Sequence, residues 1–210
     1  LRGYGILLAR EGFVCLCSSY RLSTEDIWPA QIQDVNCAIR YLKSNSEDLG
    51  IDPDRIGITG NSAGGHLSLM AGLKDYDKNF EGEGGHAEFS SEVKAICAIY
   101  PPAKIRKIEN TDPIIDAYRM LMGDVDQEEY DKASPILQIK EDFPPTMLVH
   151  GSSDSVVRLE DSTDLYQKLK KENIPAELHI FSEEDHAFDS ARGYGRSVAE
   201  LQHLFFKKYL

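Results

Sequence analysis

An apolar run carrying Ile56 and Ile58 breaks off at Gly60, and an amphipathic run with Leu67, Leu69, Met70 and Leu73 begins just past Gly64. Between them stands Gly60-Asn61-Ser62-Ala63-Gly64, which fits G-x-S-x-G. Read as an elbow, the strand turns sharply into the helix and holds Ser62 in a strained, exposed position. Glycine is needed on either side because a Cβ there would strike the neighbouring strand or helix. The serine hydroxyl then sits at a helix N-terminus, where the dipole and free backbone N–H groups favour a developing negative charge. The plain alternative is an ordinary Gly-rich turn. The strand before and the helix after are what set the motif above that alternative.

The rest of the chain repeats the same alternation. Residues 1–11 read as a short helix ended by Gly12. Phe13-Val14-Cys15-Leu16-Cys17 is a continuous apolar run, as expected of a strand buried on both faces of a parallel sheet. Pro29 opens a helix through about Ser46, with Ile32, Val35, Ile39 and Leu42 on one face. A turn at Gly50-Ile51-Asp52-Pro53-Asp54 leads into the strand of the elbow, and the helix after Ser62 runs to near Lys74. Residues 75–92 form an acidic, Gly-rich loop, and Val93 to Tyr100 is a strand stopped by Pro101-Pro102. Residues 103–142 carry charged turns and a short helix, and read as a small cap or lining segment of one domain spanning 1–210. Strands at Thr146–His150 and Ala176–Phe181, with helices at 159–172 and around Val198–Phe205, complete the pattern. Strands alternating with helices argue a parallel α/β sheet.

In open α/β sheets chemistry gathers at the carboxyl ends of the strands. A serine nucleophile needs a base, and the base needs an orienting acid. The strand ending at His150 is followed by a loop with Asp154, and the strand ending at Phe181 by Ser182-Glu183-Glu184-Asp185-His186. Both loops open on the same edge as Ser62. The chain order Ser62, Asp154, His186 is the order that accompanies G-x-S-x-G elbows. Among the other histidines, His66 reads as packing locally and His150 as structural support at a strand end. His179 alternates inside a strand, while His86 and His203 lie in a loop and the last helix. Asp185 and Glu184 rival Asp154, but on the histidine's own loop they are poorly placed to turn its ring toward Ser62. The Ala63 N–H is expected to be one oxyanion donor, and Asn61 to contact substrate.

Composition narrows the field. The 210 residues are 41% hydrophobic and carry a formal net charge of −12. Such a surface repels phosphate backbones and anionic lipid, so no nucleic-acid or membrane partner is expected, and no apolar run approaches a membrane span. Cys15, Cys17, Cys37 and Cys97 form no metal-type spacing, so neither metal nor cofactor is expected. All four read as buried free thiols, which favours a reducing, cytoplasmic setting.

These features together resemble the α/β-hydrolase superfamily, and within it the small hormone-sensitive-lipase-like and bacterial feruloyl/acetylxylan esterases. The pieces that carry the resemblance are Tyr20-Arg21-Leu22-Ser23, Trp28-Pro29-Ala30, Gly50 to Gly57, Gly60 to His66 and Ala133-Ser134-Pro135. Pro144 to Val157 and Asp185-His186-Ala187-Phe188 continue them, in order, over nearly the whole chain. Tyr100-Pro101-Pro102-Ala103-Lys104 departs from the group's usual Tyr-Gly-Pro-Thr-Asp. The resemblance implies a three-layer α/β/α fold with a mostly parallel sheet, lacking its N-terminal strands here. It places a central strand between residues 13–17 and 55–59, and a His-Gly-Gly-Gly loop that supplies the second oxyanion donor, neither of which is in these residues. The natural protein is therefore expected to be longer. The implied activity is hydrolysis of short carboxylic esters, acetyl or feruloyl, on a small-molecule or carbohydrate substrate. Prolyl-oligopeptidase-like peptidase and arylformamidase activities share the triad order, and a catalytically silent binding scaffold is the alternative from another class.

Overall fold

The structure, a computed structural model, describes residues 2–74, 77–107 and 113–210. Its centre is a parallel sheet of β1 (Gly57–Asn61), β2 (Ala95–Ile99), β3 (Thr146–Gly151) and β4 (Ala176–Phe181), in that spatial order. The helices are α1 (Arg2–Arg10), α2 (Ala30–Ser44), α3 (Ser46–Leu49), α4 (Ala63–Met70) and α5 (Pro113–Met122). They continue with α6 (Gln127–Lys132), α7 (Pro135–Gln138), α8 (Leu159–Lys171), α9 (Phe188–Ala191) and α10 (Gly195–Tyr209). No helix among the described residues is long and apolar enough to cross a membrane.

Alternation along the central strands builds two cores. Ile96, Ala98 and Leu148 pack on one side with Ile32 and Ile39 of α2, Leu67 of α4 and Leu165 of α8. Ala95, Cys97, Ile99, Met147 and Val149 pack on the other with Tyr4 and Leu8 of α1 and Val198 and Phe205 of α10. Side chains point to opposite faces at every step, so a strand covered on both faces must be apolar throughout. The result is the three-layer α/β/α arrangement that the resemblance implies, around the parallel sheet that the alternation predicts. The buried residues of 103–142, among them Ile105, Ile115, Met122 and Tyr130, join the α2/α4/α8 side. Part of the 75–92 loop and of 103–142 lies outside the described residues.

One predicted strand does not form. Residues 13–17 join no ladder, and Val14 and Leu16 are 55% and 45% exposed. Cys15 and Cys17 are exposed and Cys37 is half-buried, so of the four cysteines only Cys97 is a buried thiol. The reason is the neighbour. A groove of about 380 Å³, lined by Val14, Leu16, Val35, Ile39, Leu42 and Ile58, separates this run from β1. No described strand fills it, and an apolar run without a hydrogen-bonding partner has no sheet to enter.

Candidate active site

β1 ends in the elbow. Ser62 adopts φ 52°, ψ −118°, a sparsely populated conformation for a side-chain-bearing residue. It is held there by its own N–H, which donates to the Ile99 carbonyl at 2.9 Å, and by its carbonyl, which accepts from the His66 N–H at 3.0 Å. A Cβ on Gly60 would collide with the Gly64 carbonyl, and one on Gly65 would lie 3.1 Å from the Ile99 carbonyl. The tight approach is thus between the start of the elbow and the first turn of α4. Ala63 opens that helix and is exposed; first-turn amides have no intrahelical acceptor.

The two other loops are laced together beside it. A Cβ on Gly151 would collide with the Glu184 carbonyl, so β3 and the loop after β4 run in backbone contact. Ser152 N–H donates to Phe181 O at 2.8 Å and Ser153 N–H to Glu184 O at 2.9 Å. Asp185 accepts from the Ser155 N–H and hydroxyl, both at 2.8 Å, and from the His186 N–H at 2.7 Å. Asp185 therefore fastens the loops, and it is Asp154 that turns inward.

Ser62, His186 and Asp154 meet in a line. His186 Nε2 is 3.1 Å from Ser62 Oγ, and His186 Nδ1 is 2.8 Å from Asp154 Oδ2. The Asp154 side chain is wholly buried, while 16% of the His186 side chain reaches solvent. Burial alone pushes the Asp154 carboxyl up, but hydrogen bonds from His150, His186 and the Val156 and Val157 amides outweigh it. They hold the group well below the usual carboxylate range. Asp154 is an ionised acceptor at neutral pH, and fixes the imidazole proton on Nδ1 so that Nε2 faces the serine with a lone pair. A hydroxyl, a base within hydrogen-bond reach and an orienting carboxylate are the parts from which a nucleophile relay can be built.

The family model described as BD-FAE matches residues 4–169. The chain belongs to the BD-FAE family. It is 31% identical to the probable carboxylic ester hydrolase LipM of Mycobacterium tuberculosis over 94% of this chain and 48% of that protein. The chain thus spans about half the length of the curated relatives it matches. Among solved structures, a truncated carbohydrate esterase from gut microbiota superposes with TM-score 0.85 at 30% identity, over 98% of this chain and 77% of that one. An acetyl ester-xyloside bifunctional hydrolase from Caldicellulosiruptor lactoaceticus gives TM-score 0.77 at 30% identity, over 90% and 69% of the two chains.

Behind the line, this BD-FAE chain carries a buried network that sequence reasoning missed. Asp189 accepts from the hydroxyl of Tyr4, from the Tyr100 hydroxyl at 2.6 Å and from Asn61 Nδ2 at 2.8 Å. Asn61, expected to meet substrate, directs its amide inward to Asp189 and to the Tyr100 hydroxyl at 2.7 Å. Burial first, and then the bond to Asp189, raises both phenols, so they remain neutral donors. The Tyr100 ring packs 4.6 Å from the His186 ring, and its backbone takes φ 38° at the end of β2. Proline at 101 and 102 signalled the strand's end, but nothing in the sequence paired Tyr100 with Asp189. His66 does not pack locally as expected; it is buried against Trp28 and its Nε2–H donates to the Ala133 carbonyl at 2.7 Å.

Proposed function

We propose that this chain is a serine hydrolase that cleaves short carboxylic esters through an acyl-enzyme. The observation that carries the reading is the unbroken line Ser62 Oγ, His186 Nε2, His186 Nδ1, Asp154 Oδ2 at the carboxyl ends of β1, β3 and β4. Ser62 attacks the ester carbonyl as His186 takes its proton. The same imidazole then returns the proton to the departing alcohol, and water repeats the cycle on the acyl-enzyme. Asp154 stabilises the imidazolium in both steps. The Ala63 N–H, at the head of α4, stabilises the oxyanion.

An acetyl or feruloyl ester, on a small molecule or a carbohydrate, is the substrate class we propose. The names of LipM and of the two solved esterases support ester chemistry, and the carbohydrate esterase supports a sugar-borne alcohol. The cysteines form no disulfide, which fits a cytoplasmic setting. A ladder of nitrophenyl esters tests the reading. Acetate is expected to be preferred over dodecanoate, and Ser62→Ala to lower kcat by at least ~10⁴. A preference for dodecanoate refutes the short-acyl assignment, and undiminished turnover by Ser62→Ala refutes the nucleophile. Because the base must be neutral to take the proton, activity is expected to fall in acid.

A further inference from the structure

His150 lies at the end of β3 and is fully buried. Its Nδ1 is 2.7 Å from the hydroxyl of Ser162, a buried residue of α8. Its Nε2 is 3.0 Å from the Val157 carbonyl and 3.2 Å from Asp154 Oδ2. Both of those atoms can only accept, so Nε2 carries the proton, and the Ser162 hydroxyl donates to the bare Nδ1. The His150 Nε2–H is therefore divided between the Val157 carbonyl and Asp154 Oδ2, 3.2 Å away, and the same Oδ2 accepts from His186 at 2.8 Å. Its Oδ1 accepts from the Val156 and Val157 amides at 2.9 and 2.8 Å. Four donors from three directions fix the rotation of the carboxylate.

We infer that His150 is a positioning residue of the relay, whose Nε2–H shares Asp154 Oδ2 with His186 and limits how strongly that oxygen draws on the His186 imidazole. The inference rests on the proposed hydrolase reading. A carboxylate oxygen that already accepts one N–H is a weaker acceptor for a second. Without the His150 donor, Oδ2 binds the charged imidazolium more tightly, and protonated His186 persists to higher pH. α8 contributes the neutral Ser162 hydroxyl, and the residue just past β2 the neutral Tyr100 ring beside His186. From the loop after β4 comes Asp185, whose Oδ1 is taken up by Ser155 and the His186 N–H. Among the described residues, Asp154 is the charged group that both imidazoles touch.

Two substitutions separate the two ring nitrogens. An asparagine amide reaches where Nδ1 stood and keeps the Ser162 contact, whereas a glutamine amide reaches where Nε2 stood and keeps a donor on Asp154. The experiment is the pH profile of kcat/KM for nitrophenyl acetate, on the full chain, for wild type, His150→Asn and His150→Gln. Ser62→Ala is the control for the hydrolase reading itself. His150→Asn is expected to move the acid limb upward by ~0.5 pH unit with KM within about twofold, and His150→Gln to restore the limb. An unmoved limb in His150→Asn, or an equal displacement in His150→Gln, overturns the inference, since a residue that merely packs would change stability and not the limb. Histidine-ring ¹⁵N spectra of the wild type supply a test that needs neither activity nor a folded variant. They are expected to show His150 as the Nε2–H tautomer, and an Nδ1–H tautomer overturns the proposal. Absence of Ser62-dependent hydrolysis in the wild type would refute the hydrolase reading, and the tautomer would then decide the His150–Asp154 contact by itself.

Discussion

Phe13-Val14-Cys15-Leu16-Cys17 and Ala95-Ile96-Cys97-Ala98-Ile99 are both five-residue apolar runs, and by pattern alone each is a buried parallel strand. The second is β2, with all five residues fully buried between β1 and β3. The first lies beside an open groove with its middle residues facing solvent. Their side chains hardly differ. What differs is a strand on either side to take up the backbone N–H and C=O groups, which β2 has and residues 13–17 lack among the described residues. Apolar composition states that a run is fit for a sheet, and the hydrogen-bonding neighbour decides whether it is in one.

Three measurements sharpen or break this contrast. The largest effect is expected from paired truncations. Ile96→Ala in β2 should cost about 2–5 kcal/mol by urea unfolding, because it empties a packed site. Leu16→Ala should stay within about 0.5 kcal/mol. Equal losses would mean that residues 13–17 are packed in solution, and the contrast would fall.

Acid is expected to strain the buried side next. Burial lowers His66 to about 4, against the smaller opposing effect of its bond to Ala133. The unfolded imidazole binds its proton near 6.5, so the stability held by neutral His66 is complete above that pH. It is lost as pH falls toward 4, on the order of 3 kcal/mol in all. Urea midpoints taken from pH 7 to 4.5 should fall with this slope, and His66→Phe should flatten it. A slope unchanged in His66→Phe would assign the acid sensitivity elsewhere.

The smallest effect is chemical and leaves the fold intact. Cys15 and Cys17 should react with a thiol reagent in the native protein, Cys15 somewhat slowed because burial and the neighbouring Cys17 push its thiol up. Cys97, wholly buried and pushed far up by burial, should react only on unfolding. Native protection of Cys15 and Cys17 would contradict an open groove.

The same contrast explains what could be read in advance. The elbow was legible because its constraint is local: Gly60, Ser62 and the helix after them are consecutive, and the chain order of Asp154 and His186 follows from strand ends. The strand at 13–17 was misread because pairing is set by a distant neighbour that no local pattern reports. Asp189 could not be found either, since its partners Tyr4 and Tyr100 lie 185 and 89 residues away. Nor could Asn61 be aimed, because a side chain next to Ser62 points outward or inward according to what lies behind the sheet edge. His150 was placed correctly at a strand end, but its contact with Asp154 depends on the tight return of the loop at Val157. The salt bridge of the buried Arg40 to Glu81, at 2.8 Å, is a further long-range pairing without a sequence signal.

The claim on which the rest depends is that Ser62 is an activated nucleophile. Fluorophosphonate labelling, read by intact mass and peptide mapping on wild type and Ser62→Ala, tests it most directly. The account predicts a single adduct, on Ser62, that is absent from the variant. A folded wild type that takes up no adduct, or a Ser62→Ala protein labelled as fast as wild type, would contradict it.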